Sequence, residues 1–188
     1  MSRLDEGVYW CARDLDGSPI GNHHFILIIA PDTTGGFDGE SILTENAPDS
    51  TTYFYTVGGF KGSDGIPDLL KMIVNDESDV KSVREYLDPE EHTSPLTSDY
   101  DLEPHLVAPP SGSVENFITK VVQLATNFKA KGEILYNLID ENCSAWINTL
   151  FKVVGISEAE RLELGEFFGI DFGEEDLIPE EFFAPQIF

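Results

Sequence analysis

The sequence predicts strands and helices combined in one domain, an α+β chain. Three observations predict it. Segments rich in β-formers fall in the first third. Capped, amphipathic helical patterns fill the second half. The length of 188 residues, 41% of them apolar, supplies one sizeable core and too little chain for two full domains.

The first strand is read over 7–13, Gly-Val-Tyr-Trp-Cys-Ala-Arg. Asp16-Gly17 is a turn signal; with Asp14 it also hints at a calcium loop, but the rest of that motif is missing. Residues 23–30 form the clearest strand. Ile26 and Ile28 share a face with His24, and Phe25, Leu27 and Ile29 share the other with His23. Both faces are apolar, so this strand is expected in the middle of a sheet covered on both sides. Residues 31–49 read as a loop, and 51–57 as a further strand closed by Gly58-Gly59. Ile66, Leu69, Leu70 and Ile73 recur at helical spacing, which predicts a helix over 66–87, in two pieces around 75–78.

Residues 88–112 hold five of the eleven prolines, together with His92 and His105, and read as a loop or lid. Residues 106–108 within it fit a short edge strand. Ser113 caps a helix to about residue 129 that Gly132 stops. Asn142 caps the next, which runs to Val154 with Gly155 as its C-terminal cap. Ser157 and Glu160 form a capping box for a last helix to about Phe168. The acidic, Phe-rich segment over 169–188 is read as a wrap packed on the body, with a partner-binding tail as the alternative.

Charge narrows the function. Acidic residues number 35 and basic residues 11, a formal charge of −24. Such a surface is repelled by phosphate backbones and anionic lipid, so no nucleic-acid partner is expected. A basic protein partner, a neutral substrate or a purely solubilising surface remain. The longest aliphatic run, Phe25 to Ala30, is six residues. A membrane span needs about 20, so no integral membrane association is expected. The first residues show no apolar leader. Cys11 and Cys143 therefore read as free thiols of a chain made in the cytoplasm, with export by a route without a classical signal left open and one disulfide between them as the alternative. Neither metal-ligand spacing nor a phosphate loop is present, and no cofactor is expected.

The chemistry concentrates at Asn142-Cys143-Ser144-Ala145-Trp146. A cysteine following an N-cap sits in the first helical turn, where free N–H groups and the positive end of the macrodipole stabilise a thiolate. Trp146, Ile147, Leu150 and Val154 share its face, which turns the sulfur toward the core side. A nucleophilic thiol needs an imidazole brought to it by the fold. His92 and His105 lie in the proline-rich stretch. His23 and His24 open the rigid central strand, and His24 is the favoured base.

A strand opening with His24 and followed by aliphatics to Ile29, then an Asn142-Cys143 helix start roughly 120 residues later, resembles the circularly permuted papain-like superfamily. That group includes permuted NlpC-type peptidases, lecithin–retinol acyltransferase-like enzymes and bacterial effector toxin domains. In the ordinary papain order the cysteine comes first; here the histidine does. The resemblance covers two short motifs. It implies an α+β papain-like core, with a small, mostly antiparallel sheet packed against helices. It also implies Cys143 as nucleophile and His24 as base, with His23 as the register alternative. The family's third polar residue usually comes from the strand after the histidine strand, where only Thr52 or Tyr55 is at hand. Asn142, Trp146 and Tyr55 are the expected substrate-binding neighbours. The activity implied is hydrolysis of a small-molecule or peptide-like amide through a thiol acyl-enzyme. An acyltransferase or lipid esterase of the same fold, or an acidic immunity-type binding protein, is the alternative.

Overall fold

The computed structural model describes residues 4–14, 22–30, 40–42, 52–61, 69–87, 102–131, 134–135, 142–166 and 177–185. Its strands are β1 (Gly7–Asp14), β2 (Asn22–Ala30), β3 (Glu40–Ile42), β4 (Thr52–Lys61), β5 (Leu69–Val74), β6 (Glu103–Val107) and β7 (Ile134–Leu135). The helices are α1 (Glu77–Leu87), α2 (Val114–Lys131), α3 (Cys143–Val154) and α4 (Glu158–Glu166), followed by a 3-10 turn at Glu180–Phe183. The chain is α+β: one antiparallel sheet in the order β6-β1-β2-β4-β5-β7, with β3 paired to β4.

Alternation along β2 divides the core in two. Ile26 and Ile28 join Trp10, Val57 and the apolar faces of α2 and α3 in the larger cluster. Phe25, Leu27 and Ile29 join Tyr9, Cys11 and Phe54, under Val80 and Val83 of α1. β2 is buried along both faces, as its doubly apolar pattern requires. The sheet is therefore a middle layer, with α1 on one side and α2 and α3 on the other.

The helix caps lie where the sequence places them. Ser113 Oγ accepts from the Asn116 N–H at 3.2 Å, Asn142 Oδ1 from Ala145 at 3.0 Å, and Ser157 Oγ from Glu160 at 3.3 Å. Gly155 ends α3 at φ 109°, a left-handed conformation that glycine adopts without strain. The C-terminal segment packs on the body: Phe183 is wholly buried against Phe128 and Trp146, and the Ile178 N–H donates to Thr149 Oγ1 at 2.9 Å.

Four expectations are corrected. The region 66–87 is not helical throughout: 69–74 is strand β5, and the helix begins at Glu77. Leu70 and Met72 point into the larger core while Lys71 and Ile73 do not, so period two prevails over a helical reading of the same leucines. The break between them is real. Asn75 adopts φ 54°, its N–H donates to Thr56 O at 2.8 Å, and its Oδ1 accepts from the Thr56 N–H at 3.0 Å. Asp76 then caps α1 through the Ser78 N–H at 3.0 Å. Residues 40–42, read as loop, form β3 along β4. Within 88–112, residues 103–107 are edge strand β6 on β1, and His105 belongs to it.

Gly58 and Gly59, finally, do not close their strand; β4 runs through them to Lys61. Each marks a close approach on its own face. A Cβ on Gly58 would stand 2.9 Å from Phe60 Cε2 and 3.4 Å from His23 Nε2. A Cβ on Gly59 would stand 3.0 Å from Leu70 Cδ1 and 3.2 Å from Trp146 Cβ. The missing side chain of Gly59 lets α3 lie directly on β4.

The turn over 16–17, the loop over 31–39 and 43–49, residues 88–101 with His92, the Gly132 stop, Phe167–Phe168 and the tail over 169–176 lie outside the described residues.

Gly59→Val is expected to push α3 off β4 and destabilise the fold by about 1–3 kcal/mol. Urea unfolding of the variant checks this; an unchanged midpoint would mean that Trp146 does not rest on the strand.

Candidate active site

β2 starts with two histidines, and a strand sends consecutive side chains to opposite faces. His24 faces the larger core and His23 the layer under α1. Their surroundings differ accordingly.

His24 is fully buried, and its Nδ1 accepts from Trp10 Nε1–H at 3.0 Å. A neutral imidazole has one lone-pair nitrogen. In His24 that lone pair is taken by the indole, so the ring has no acceptor left for a thiol proton. His24, the base favoured from the sequence, is thus placed with its acceptor nitrogen on Trp10.

His23 is 5% exposed and lies beside Arg13, its register partner on β1. Its Nε2 is 3.4 Å from Asp79 Oδ2, a long contact with the geometry of an ion pair rather than of an aligned hydrogen bond. The ring packs on Phe60 at a centroid distance of 4.3 Å and on Phe25 at 6.1 Å. Burial by itself lowers the pKa of this imidazole. Its contacts with Asp79 and Cys143, and the charges of the same two groups, outweigh burial and raise it from 6.5 to about 9. The structure thus brings together Cys143 from α3, His23 from β2 and Asp79 from α1.

Asp79 is wholly buried in the first turn of α1, and its Oδ1 accepts from Arg13 Nε at 2.7 Å. The sequence reading sought the third polar residue in the strand after the histidine strand. In the structure the carboxylate beside His23 is that of Asp79, on α1. Its signal was available: an acid at 79 shares the helix face of Val80 and Val83, where a solvated carboxylate is out of place.

Cys143 is 8% exposed and opens α3, one turn before Trp146. The first turns of α1, α2 and α4 carry acidic side chains; that of α3 carries none, so no carboxylate there offsets the macrodipole. The second cysteine, Cys11, is wholly buried. Burial, with the nearby Asp79 charge, holds its thiol well above the ordinary range. Both cysteines are free thiols.

The structure places the three expected substrate-binding residues as follows. Asn142 is the N-cap of α3, its side chain turned to its own helix. Trp146 and Tyr55 are 0% and 1% exposed within the larger core. Among the described residues no group of three His, Cys, Asp or Glu is placed to hold a metal ion, and no helix is long and apolar enough to cross a membrane.

The raised pKa of His23 links protonation to folding. The folded value, about 9, lies above the ordinary 6.5. The stabilisation is therefore fully present below 6.5 and is lost as pH rises through 9. Thermal midpoints recorded from pH 6 to 10 are expected to fall over that window, and His23→Gln to flatten the fall. A wild-type profile already flat there would contradict the shift.

Comparison of the chain with protein-family models, with curated proteins and with solved structures found no match.

Proposed function

We propose that the protein is a cysteine hydrolase acting on an amide bond, with Cys143 as nucleophile, His23 as base and Asp79 as the group that orients the imidazole. One observation carries the reading: a thiol at a helix N-terminus and a buried carboxylate both interact with the same buried imidazole. That succession of nucleophile, base and orienter is what thiol catalysis requires. The order of histidine before cysteine, on an antiparallel sheet covered by the cysteine-bearing helix, supports a permuted papain-like core.

The chemistry follows from the contacts. With Nε2 of His23 given to Asp79, Nδ1 is the nitrogen proposed to receive the thiol proton. The resulting thiolate and imidazolium stabilise each other, and the α3 dipole adds to the thiolate's stability. The sulfur attacks the carbonyl carbon, a C–S bond forms, and the oxyanion is received by main-chain N–H groups of the first turn, Cys143 included, which no helical carbonyl can reach. The tetrahedral adduct collapses with loss of the C–N bond, and the imidazolium proton leaves with the amine. Water, deprotonated by His23, then cleaves the thioester and restores the thiol. An acyltransferase or lipid esterase would differ only in that second step. The charge of −24 favours amide hydrolysis, because a cationic docking surface for anionic lipid is missing from the composition. The same charge favours the competing reading, an anionic binding protein for a basic partner.

Limiting iodoacetamide at pH 6 on the native protein is expected to label Cys143 ahead of Cys11, which serves as an internal buried-thiol control. A panel of fluorogenic amides and activated esters should yield an acyl adduct on Cys143 by mass spectrometry. Cys143→Ala should abolish turnover, and His23→Gln should lower it by about 10²-fold or more. Equal sluggishness of the two thiols, with no adduct, would leave the anionic binder as the surviving reading.

A further inference from the structure

Three charged side chains are buried among the described Asp, Glu, Lys and Arg residues: Arg13, Asp79 and Arg161. Arg161 serves the far layer, where its guanidinium donates to Asn148 Oδ1 and Ile156 O. The other two form one pair beside His23. Burying an Arg–Asp pair is costly and seldom improves on apolar packing, so stability alone does not explain it.

The geometry is specific. Arg13 and His23 are register partners on adjacent strands and project side by side onto one face. Asp79 descends on both from α1. Its two oxygens are divided between them, Oδ1 to Arg13 Nε at 2.7 Å and Oδ2 to His23 Nε2 at 3.4 Å. The tight bond is the one to arginine; the loose contact follows from it.

We propose that Arg13 is a positioning residue for this site: by fixing the rotation of the Asp79 carboxylate it aims Oδ2 at His23 and so sets the Cys143–His23 pair. The inference rests on the proposed function and names a fourth member for it. Asp79 from α1 and Cys143 from α3 face the His23 ring. Arg13, from β1, bonds Asp79, and the Asp79 charge also reaches Cys11 on the same strand. The guanidinium acts on the sulfur through two intervening groups. The Nε–H of a planar guanidinium donates to Oδ1 along a fixed direction, which an ammonium of equal charge does not reproduce.

The test is the pH midpoint of Cys143 alkylation by iodoacetamide, read per peptide by mass spectrometry, in wild type, Arg13→Lys, Arg13→Gln, Asp79→Asn, the two double variants and His23→Gln. The wild-type midpoint is expected below the roughly 8.5 of an ordinary thiol. Arg13→Gln should raise it by about one unit. Arg13→Lys, which keeps the charge, should still raise it by a measurable part of that. In the Asp79→Asn background neither change should add anything, because the group through which Arg13 acts is gone. Should Arg13→Gln fail to fold, Arg13→Lys with Asp79 intact decides the matter, since that variant keeps a cation opposite the buried carboxylate. A wild-type midpoint in Arg13→Lys, or shifts of equal size with and without the Asp79 carboxylate, would overturn the positioning role and leave the hydrolase reading intact. A wild-type midpoint that is ordinary, or that His23→Gln does not move, would sink both.

Discussion

Consecutive residues of a strand point to opposite sides, and β2 is buried on both. From that constraint the rest follows. Two adjacent histidines are sent into two different layers of the protein. One meets an indole N–H in an apolar layer and is spent as an acceptor. The other meets a carboxylate and a thiol. A shift of β2 by one residue relative to its neighbours would exchange the two, which is why the pairing of β2 with β1 and β4 matters to the chemistry as much as to the fold.

The two layers are joined at one end of the sheet by what β4 lacks. Gly58 leaves room for the His23 and Phe60 rings on the α1 side, and Gly59 lets Trp146 of α3 rest on the strand from the other side. The first turn of α3 is thereby held close to the start of β2. Asn75, clasped to Thr56 through both its main chain and its side chain, holds the first turn of α1 in the same way. The three groups of the site ride on a helix above the sheet, a helix below it and the sheet itself. Each is anchored within a few residues of the group it carries.

Electrostatics completes the arrangement. In a chain with an excess of 24 negative charges, the first turn of α3 is kept clear of acids, while one carboxylate among the described residues is taken into the interior and paired with an arginine. The imidazole's raised pKa is the consequence: desolvation opposes the charged ring, and two anionic neighbours outweigh it.

Much of the fold was legible in local pattern. The doubly apolar β2, the caps at Ser113, Asn142 and Ser157, the Gly155 stop and the helix-start position of Cys143 all follow from side chains acting on their own backbone or on an alternating surface. Local pattern also narrowed the base to two neighbouring histidines. It favoured His24, but what sets the two apart is what covers each face, and Trp10 and Asp79 reach those faces from other elements. For the same reason Leu69, Leu70 and Ile73 read as helix: their spacing fits both periods, and only pairing with β4 resolves it. Gly58-Gly59 read as a stop because the rings and the helix they admit belong to other elements. Asp79 and Arg13 were the least legible, since a carboxylate and a guanidinium 66 positions apart become a pair only when a helix is laid across two strands.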